Sequence, residues 1–149
     1  MLGVQRGIQT VKVKKLNLNE EGLHRFFGSL EVRIMEVLWE KNKLTIKQMH
    51  EILNREDPIS LNAVMTVMIR LADKGHLLKE STGNSRNRIT FFSPIQSKEQ
   101  FIREQTKVVT DVLVEDFGSL MVSHLIDNLD KADASLIEQL EQKLKEMKS

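Results

Sequence analysis

Between Ser29 and Lys74 the chain repeats its apolar residues at helical spacing three times in succession. Leu30, Ile34, Val37 and Leu38 mark the first stripe, within LEVRIMEVLWEK, with Ser29 placed to cap its start and Trp39 near its end. Ile46, Met49, Ile52 and Leu53 mark the second, within IKQMHEILNR behind the capping residue Thr45. Asp57-Pro58 ends it, because proline disfavours helix in the residue before it, and Ser60 then offers a cap for a third helix from Leu61 to about Lys74. Gly75 supplies the C-terminal stop. Projecting the third helix at about 100° per residue puts Leu61, Val64, Met65, Met68, Leu71 and Ala72 in one sector, with Ile69 at its edge. That sector is expected to face the core. The opposite sector holds Asn62, Ala63, Thr66, Arg70, Asp73 and Lys74, with Val67 on the flank.

After the third helix the period changes. HLLKES, the polar turn-rich TGNSRNR and ITFFSP predict a β-hairpin that ends at Pro94. Three helices followed by a hairpin, with a tight turn between the second and third helices, is the order of a winged helix-turn-helix. The remainder is helical again. A long segment from about Lys98 to Asp116 carries Phe101, Val108, Val112 and Phe117 and stops at Gly118; LMVSHLIDNL forms a shorter helix; Asp133 caps a last one from Ala134 to about Lys148. These tail stripes exceed what so small a tail can bury alone, which calls for a partner surface. The expected fold is therefore mainly α. An N-terminal arm or short strand (1–27) precedes a winged helix-turn-helix domain (28–95) and a helical dimerisation region (96–149).

Composition narrows the function. The 149 residues are 40% hydrophobic and 29% charged, with seven glycines and two prolines, as in a helical globular protein. The absence of cysteine excludes a disulfide framework, a thiolate metal site and a cysteine nucleophile, and fits a cytoplasmic setting. No apolar run approaches the roughly 18 residues of a membrane span, and MLGVQRGIQTVKVKK lacks the apolar block of a signal peptide, so neither insertion nor export is expected. His24, His50, His76 and His124 stand singly, without metal-ligand spacing. No nucleophile elbow, phosphate-binding glycine loop or matched carboxylate pair is present, so neither an enzyme, a metal nor a cofactor is expected.

Charge is uneven along the chain. Residues 1–94 carry 15 Lys/Arg against 10 Asp/Glu, and residues 95–149 carry 7 against 11. A basic front half suits a polyanion. The outer face of the third helix begins small and ends basic, which suits a major groove. Asn62 can pair with adenine, Ala63 and Thr66 can touch thymine methyls, and Arg70 can contact guanine or phosphate. Ser60 and Lys74 flank that strip. Arg86 and Arg88, in a loop with no acidic residue between Glu80 and Glu99, can reach the DNA backbone. A solvated amphipathic helix and a solvated hairpin turn are the plainer readings of the same residues.

FGSLEVRIMEVLWE (Phe27 to Glu40) and AVMTVMIRLADKG (Ala63 to Gly75) together resemble the BlaI/MecI/CopY family, the penicillinase and methicillin repressors. Members share the leucine-glutamate start, the tryptophan at the helix end and a T-V-x-T-L-L-x-R-L-x-x-K-G segment. The resemblance covers about residues 27–94 in motif detail, and the tail in length and order only. It implies a bacterial transcriptional repressor that binds a palindromic operator in double-stranded DNA, often with a TACA/TGTA core, as a homodimer built by the C-terminal helices. Thr66 and Arg70 then fall on the family's recognition-helix threonine and arginine, and Trp39 on its structural tryptophan. The dimer surface is expected from Val112, Leu113, Phe117, Leu120, Leu125, Leu136, Leu140 and Leu144.

The chain also departs from the pattern. Ala63 stands where the family often has threonine, and Ile89-Thr90-Phe91-Phe92 replaces a Y-x-Y pair, so operator preference does not carry over. Without cysteine, the copper-sensing motif of some members is lacking. In antibiotic-responsive members a membrane-bound sensor protease cuts early in the linking helix, where this chain has Gln100-Phe101. Phe101 is equally well placed to be the first core residue of that helix. Release by a small-molecule ligand is the alternative mechanism, and a winged helix used only for protein contact is the alternative function.

Overall fold

The computed structural model describes residues 16–149, so GIQTVKVKK, read above as part of an arm or strand, lies outside the described residues. Helix α1 is Ser29–Lys41, α2 Ile46–Glu56 and α3 Leu61–Asp73; strands β1 (Leu77–Thr82) and β2 (Ile89–Pro94) form an antiparallel hairpin; α4 is Lys98–Asp127 and α5 Ala134–Lys148. The fold is mainly α with a two-stranded wing, as the hydrophobic pattern predicts. Short 3-10 turns occupy Gly22–Arg25 and Leu129–Lys131.

Capping explains where the helices begin. Thr45 Oγ1 accepts from Gln48 N–H, Ser60 Oγ from Ala63 N–H and Asp133 from Leu136 N–H, each at the expected start. At α1 the expectation needs correction. The cap is Gly28, whose backbone is extended (φ −69°, ψ 166°), and Ser29 is the first helical residue. Glycine has no side chain to cap with, so Glu31 does the local work by accepting from Gly28 N–H at 2.8 Å. At Gly118 the long tail helix breaks where expected, so α4 is two helical segments joined across a kink. The glycine's φ of 34° and ψ of −109° leave the helical region, and the chain resumes helix on the other side.

The chain divides into two compact units, one running to Val108 and the other Val109–Ser149. In the first, Ile34, Met35, Leu38, Met49, Leu53, Val64, Met68 and Leu71 pack α1, α2 and α3 together, and Leu77 and Phe92 seal the hairpin onto them. Leu44 adds a third strand position to the wing: it exchanges backbone hydrogen bonds with Phe92, N to O, at 3.1 and 2.8 Å.

An aromatic cluster closes this core. Phe101, at the start of α4, stacks on Phe27 with ring centroids 4.9 Å apart and meets Phe26, Trp39 and His76 at 6.1, 5.7 and 5.6 Å. The indole N–H of Trp39 donates to Gln96 O, and Lys98 bridges to Glu36 at 2.9 Å, so the first turns of α4 are tied to α1. Phe101 is thereby a core residue, 1% exposed.

The second unit is different in kind. None of residues 109–149 is fully buried. Val112, Phe117, Leu120, Leu125, Leu136 and Leu144 are exposed, while Leu113 and Leu140 are half-buried.

Candidate nucleic-acid interface

The orientation of α3 is set from α2 through the short turn between them. Pro58 has no N–H to donate, Asp57 N–H bonds back to Leu53 O, and the N–H and C=O of Ile59 are taken up by side chains one helical turn apart on α2. Asn54 Oδ1 accepts from Ile59 N–H at 2.9 Å, and the His50 ring Nε2 lies 2.8 Å from Ile59 O, a geometry that needs the Nε2–H tautomer. Arg33 ties the end of α2 to α1 by donating to Leu53 O. Sequence reading took His50 only as a lone histidine without metal-ligand spacing and gave Asn54 no role; the signal missed was their four-residue spacing on α2, which puts both above the proline turn.

Core packing then decides which face of α3 turns outward. Its buried residues are Val64, Val67, Met68 and Leu71, a stripe at offsets of three, one and three. The sector expected from the projection is therefore rotated. Val67, placed on the outer flank, is inside at 9% exposure, while Leu61 and Met65, placed inside, are outside at 46% and 38%. The cause is the neighbours: α1, α2 and β1 all pack on α3 within one unit, and their common centre lies between Val64 and Val67 rather than between Val64 and Met65.

On the outward face, Asn62, Thr66 and Arg70 are exposed and recur every fourth residue, so they form one row along the helix. Ser60 sits at its head with its Oγ engaged in the cap. Ala63 is half-buried on the flank. Lys74 is exposed, but its Nζ lies 3.0 Å from Glu31 Oε2. The Glu31 side chain is only 12% exposed. Burial alone would raise its pKa, yet the Gly28 N–H and the Lys74 ammonium outweigh it and hold the carboxyl below its ordinary value of 4.5. One carboxylate thus serves the start of α1 and the end of α3.

The wing tip is organised by Asn84, whose Oδ1 accepts from the N–H groups of Arg86 and Asn87 at 3.0 Å each. Gly83 permits the tight return: its φ is +88°, and a Cβ there would lie 2.3 Å from Asn87 O. Both Arg86 and Arg88 are exposed on this tip. Ser81 and Thr90 hydrogen-bond across the strands at 2.9 Å, and Lys43 lies over the Phe91 ring at 5.1 Å.

The first unit therefore carries Ser60, Asn62, Ala63, Thr66, Arg70, Lys74, Arg86 and Arg88, together with Gln100 and Phe101 at the head of α4. Gln100 is exposed and its side chain accepts from Ser97 N–H, whereas Phe101 is buried. The residues expected to dimerise, Val112 to Leu144, lie in the second unit. Among the described residues no group of three or more His, Asp or Glu side chains can hold a metal, and no helix is long and apolar enough to cross a membrane.

Residues 27–146 match the family profile described as "Penicillinase repressor". The chain is 28% identical over 114 residues to the protein named "Transcriptional regulator BlaI" of Mycobacterium tuberculosis, an alignment spanning 72% of this chain and 78% of that one. Among solved structures it is similar to the putative transcriptional regulator TA0346 of Thermoplasma acidophilum (13% identity, TM-score 0.44, 71% of this chain and 94% of that one). It is also similar to reduced AbfR bound to DNA (18% identity, TM-score 0.42, 85% and 79%).

The Glu31 arrangement has a measurable consequence for stability. Its depressed carboxyl stabilises the fold fully above the ordinary glutamate value and loses that contribution as pH falls through the folded value. Glu31→Ala should cost about 1 kcal/mol at pH 7. Glu31→Gln, which keeps an acceptor for Gly28 N–H but not the charge, should cost less. Urea unfolding should show both differences from wild type shrinking below about pH 4; a gap that is constant with pH would show that the charge contributes nothing.

Proposed function

The chain belongs to the penicillinase repressor family of transcriptional repressors, and from that premise we propose that it binds a palindromic operator as a homodimer, with α3 in the major groove and the wing on the backbone. The observation that carries the DNA contact is the pairing, within one unit, of an outward row (Asn62, Thr66, Arg70) with a basic, acid-free wing tip (Arg86, Arg88). In this reading Arg70 is free to take guanine or phosphate, Asn62 and Thr66 face base edges, and Ser60 and Ala63 approach the backbone at the head of the helix. Lys74 adds charge where the helix ends, sharing its ammonium between Glu31 and phosphate.

The two basic elements should be separable by experiment. Arg70→Ala should weaken binding to a selected operator by about 5-fold to 150-fold, the range of one specific contact, and relax sequence preference there. Arg86→Ala should weaken binding evenly across sequences and lower the slope of log affinity against log salt by about 1. Titrations by fluorescence anisotropy at several salt concentrations distinguish these outcomes, and two folded variants that bind as tightly as wild type would overturn the assignment.

Homodimerisation through the second unit is supported by its lack of any fully buried side chain. Apolar residues that find no core within the unit are stabilised by burial against a second copy, at roughly 25 cal/mol per Å² before ordering costs. Val112, Leu113, Phe117, Leu120, Leu125, Leu136, Leu140 and Leu144 supply that surface in the proposal. Two copies related by a twofold axis would then present two recognition helices to two half-sites. Sedimentation should show a dimer for the native chain and at least a tenfold weaker association for Leu120→Glu and Leu136→Glu; a native chain that sediments as a monomer at micromolar concentration would refute the scheme.

For release we propose cleavage of the Gln100–Phe101 bond by a membrane-bound sensor protease. A cut there would strip the chain of the ring on which Phe27, Trp39 and His76 converge. Cutting requires the first turn of α4 to open, since Gln100 is held by Ser97 and Phe101 by the cluster. Mass spectrometry of the repressor recovered from induced cells should find a fragment ending at Gln100; induction with only intact chain present would point to a ligand instead.

A further inference from the structure

The rotation of α3 leaves a second row exposed beside the polar one. Leu61, Met65 and Ile69 are 46%, 38% and 37% exposed, because the face that α1, α2 and β1 cover is narrower than the apolar stripe. They recur every fourth residue, and residues three apart are neighbours on a helix surface, so Met65 lies beside Asn62 and Ile69 beside Thr66. Apolar and hydrogen-bonding groups thus alternate as neighbours along this face.

We propose that Leu61, Met65 and Ile69 are specificity-determining residues that read the 5-methyl groups of thymines in the major groove. The inference rests on the DNA-binding reading above and names the base chemistry that this face selects. In the major groove only thymine presents a methyl group, and it does so beside hydrogen-bonding edges, so an apolar row flanked by Asn62 and Thr66 complements A·T pairs. The spacing fits as well. Four residues of helix rise about 6 Å, on the order of two base-pair steps of about 3.4 Å. Each apolar side chain therefore meets a different base pair. The row has a defined end, since Asp73 takes the next four-residue step after Ile69 and a carboxylate there would be repelled by phosphate. Ala63, half-buried on the flank, contributes less to base choice than Met65 does.

The test uses the full chain and duplexes enriched from a random library, remade with single thymines replaced by deoxyuridine, which removes only the methyl group. Replacing a contacted thymine should weaken binding about fourfold, the value of one buried methyl. Met65→Ala, at a site exposed enough to leave the fold intact by circular dichroism, should bind the thymine and deoxyuridine forms equally at the position Met65 reads. Enrichment of a duplex whose thymine and deoxyuridine forms bind equally at every position overturns this inference alone and would leave the apolar row to a protein partner. Failure to enrich any duplex overturns the operator reading and this inference with it.

Discussion

The burial of Val64, Val67, Met68 and Leu71 against α1, α2 and β1 is the constraint on which the functional surface depends. A helix in contact with three elements has one angular setting that fills the space between them, and interiors packed at crystal-like density tolerate little rotation away from it. Once those four side chains are inside, every other position on α3 is assigned. The polar row and the apolar row beside it face outward because the core leaves them no other place. The surface proposed to meet DNA is here a by-product of packing, and its precision is the precision of the core.

Polar contacts at the ends of the elements hold that setting. His50 and Asn54 close the turn into α3, Glu31 ties its far end to the start of α1, and Asn84 shapes the wing tip around Arg86. Each satisfies backbone or charged groups that would otherwise compete for water, so each also fixes a direction. Glu31 and Lys74 illustrate how closely folding and binding are joined: the ammonium that stabilises a buried carboxylate also sits at the end of the helix expected to approach phosphate.

The aromatic cluster gives Phe101 a role that neither its position in α4 nor the resemblance to known repressors conveys alone. Five rings from four separate parts of the chain converge there, and the first turns of α4 belong to the same unit as the helices they cover. The second unit has no such centre. Its apolar side chains are distributed over bent α4 and α5, and none of them is fully buried.

By itself the amino-acid sequence determined the element order, the caps at Thr45, Ser60 and Asp133, the stop at Gly75 and the hairpin, because each depends on residues within a few positions of one another. It also carried the family motifs and the basic wing. Only the tertiary structure decided which sector of α3 is buried, since a stripe of seven apolar residues is wider than the face the neighbours cover and periodicity cannot say which edge is left out. The same holds for the Leu44–Phe92 bridge, the Glu31–Lys74 pair and the stacking on Phe101, whose partners lie 43 or more residues apart and meet only through packing. Local rules end where a choice depends on what stands on the other side.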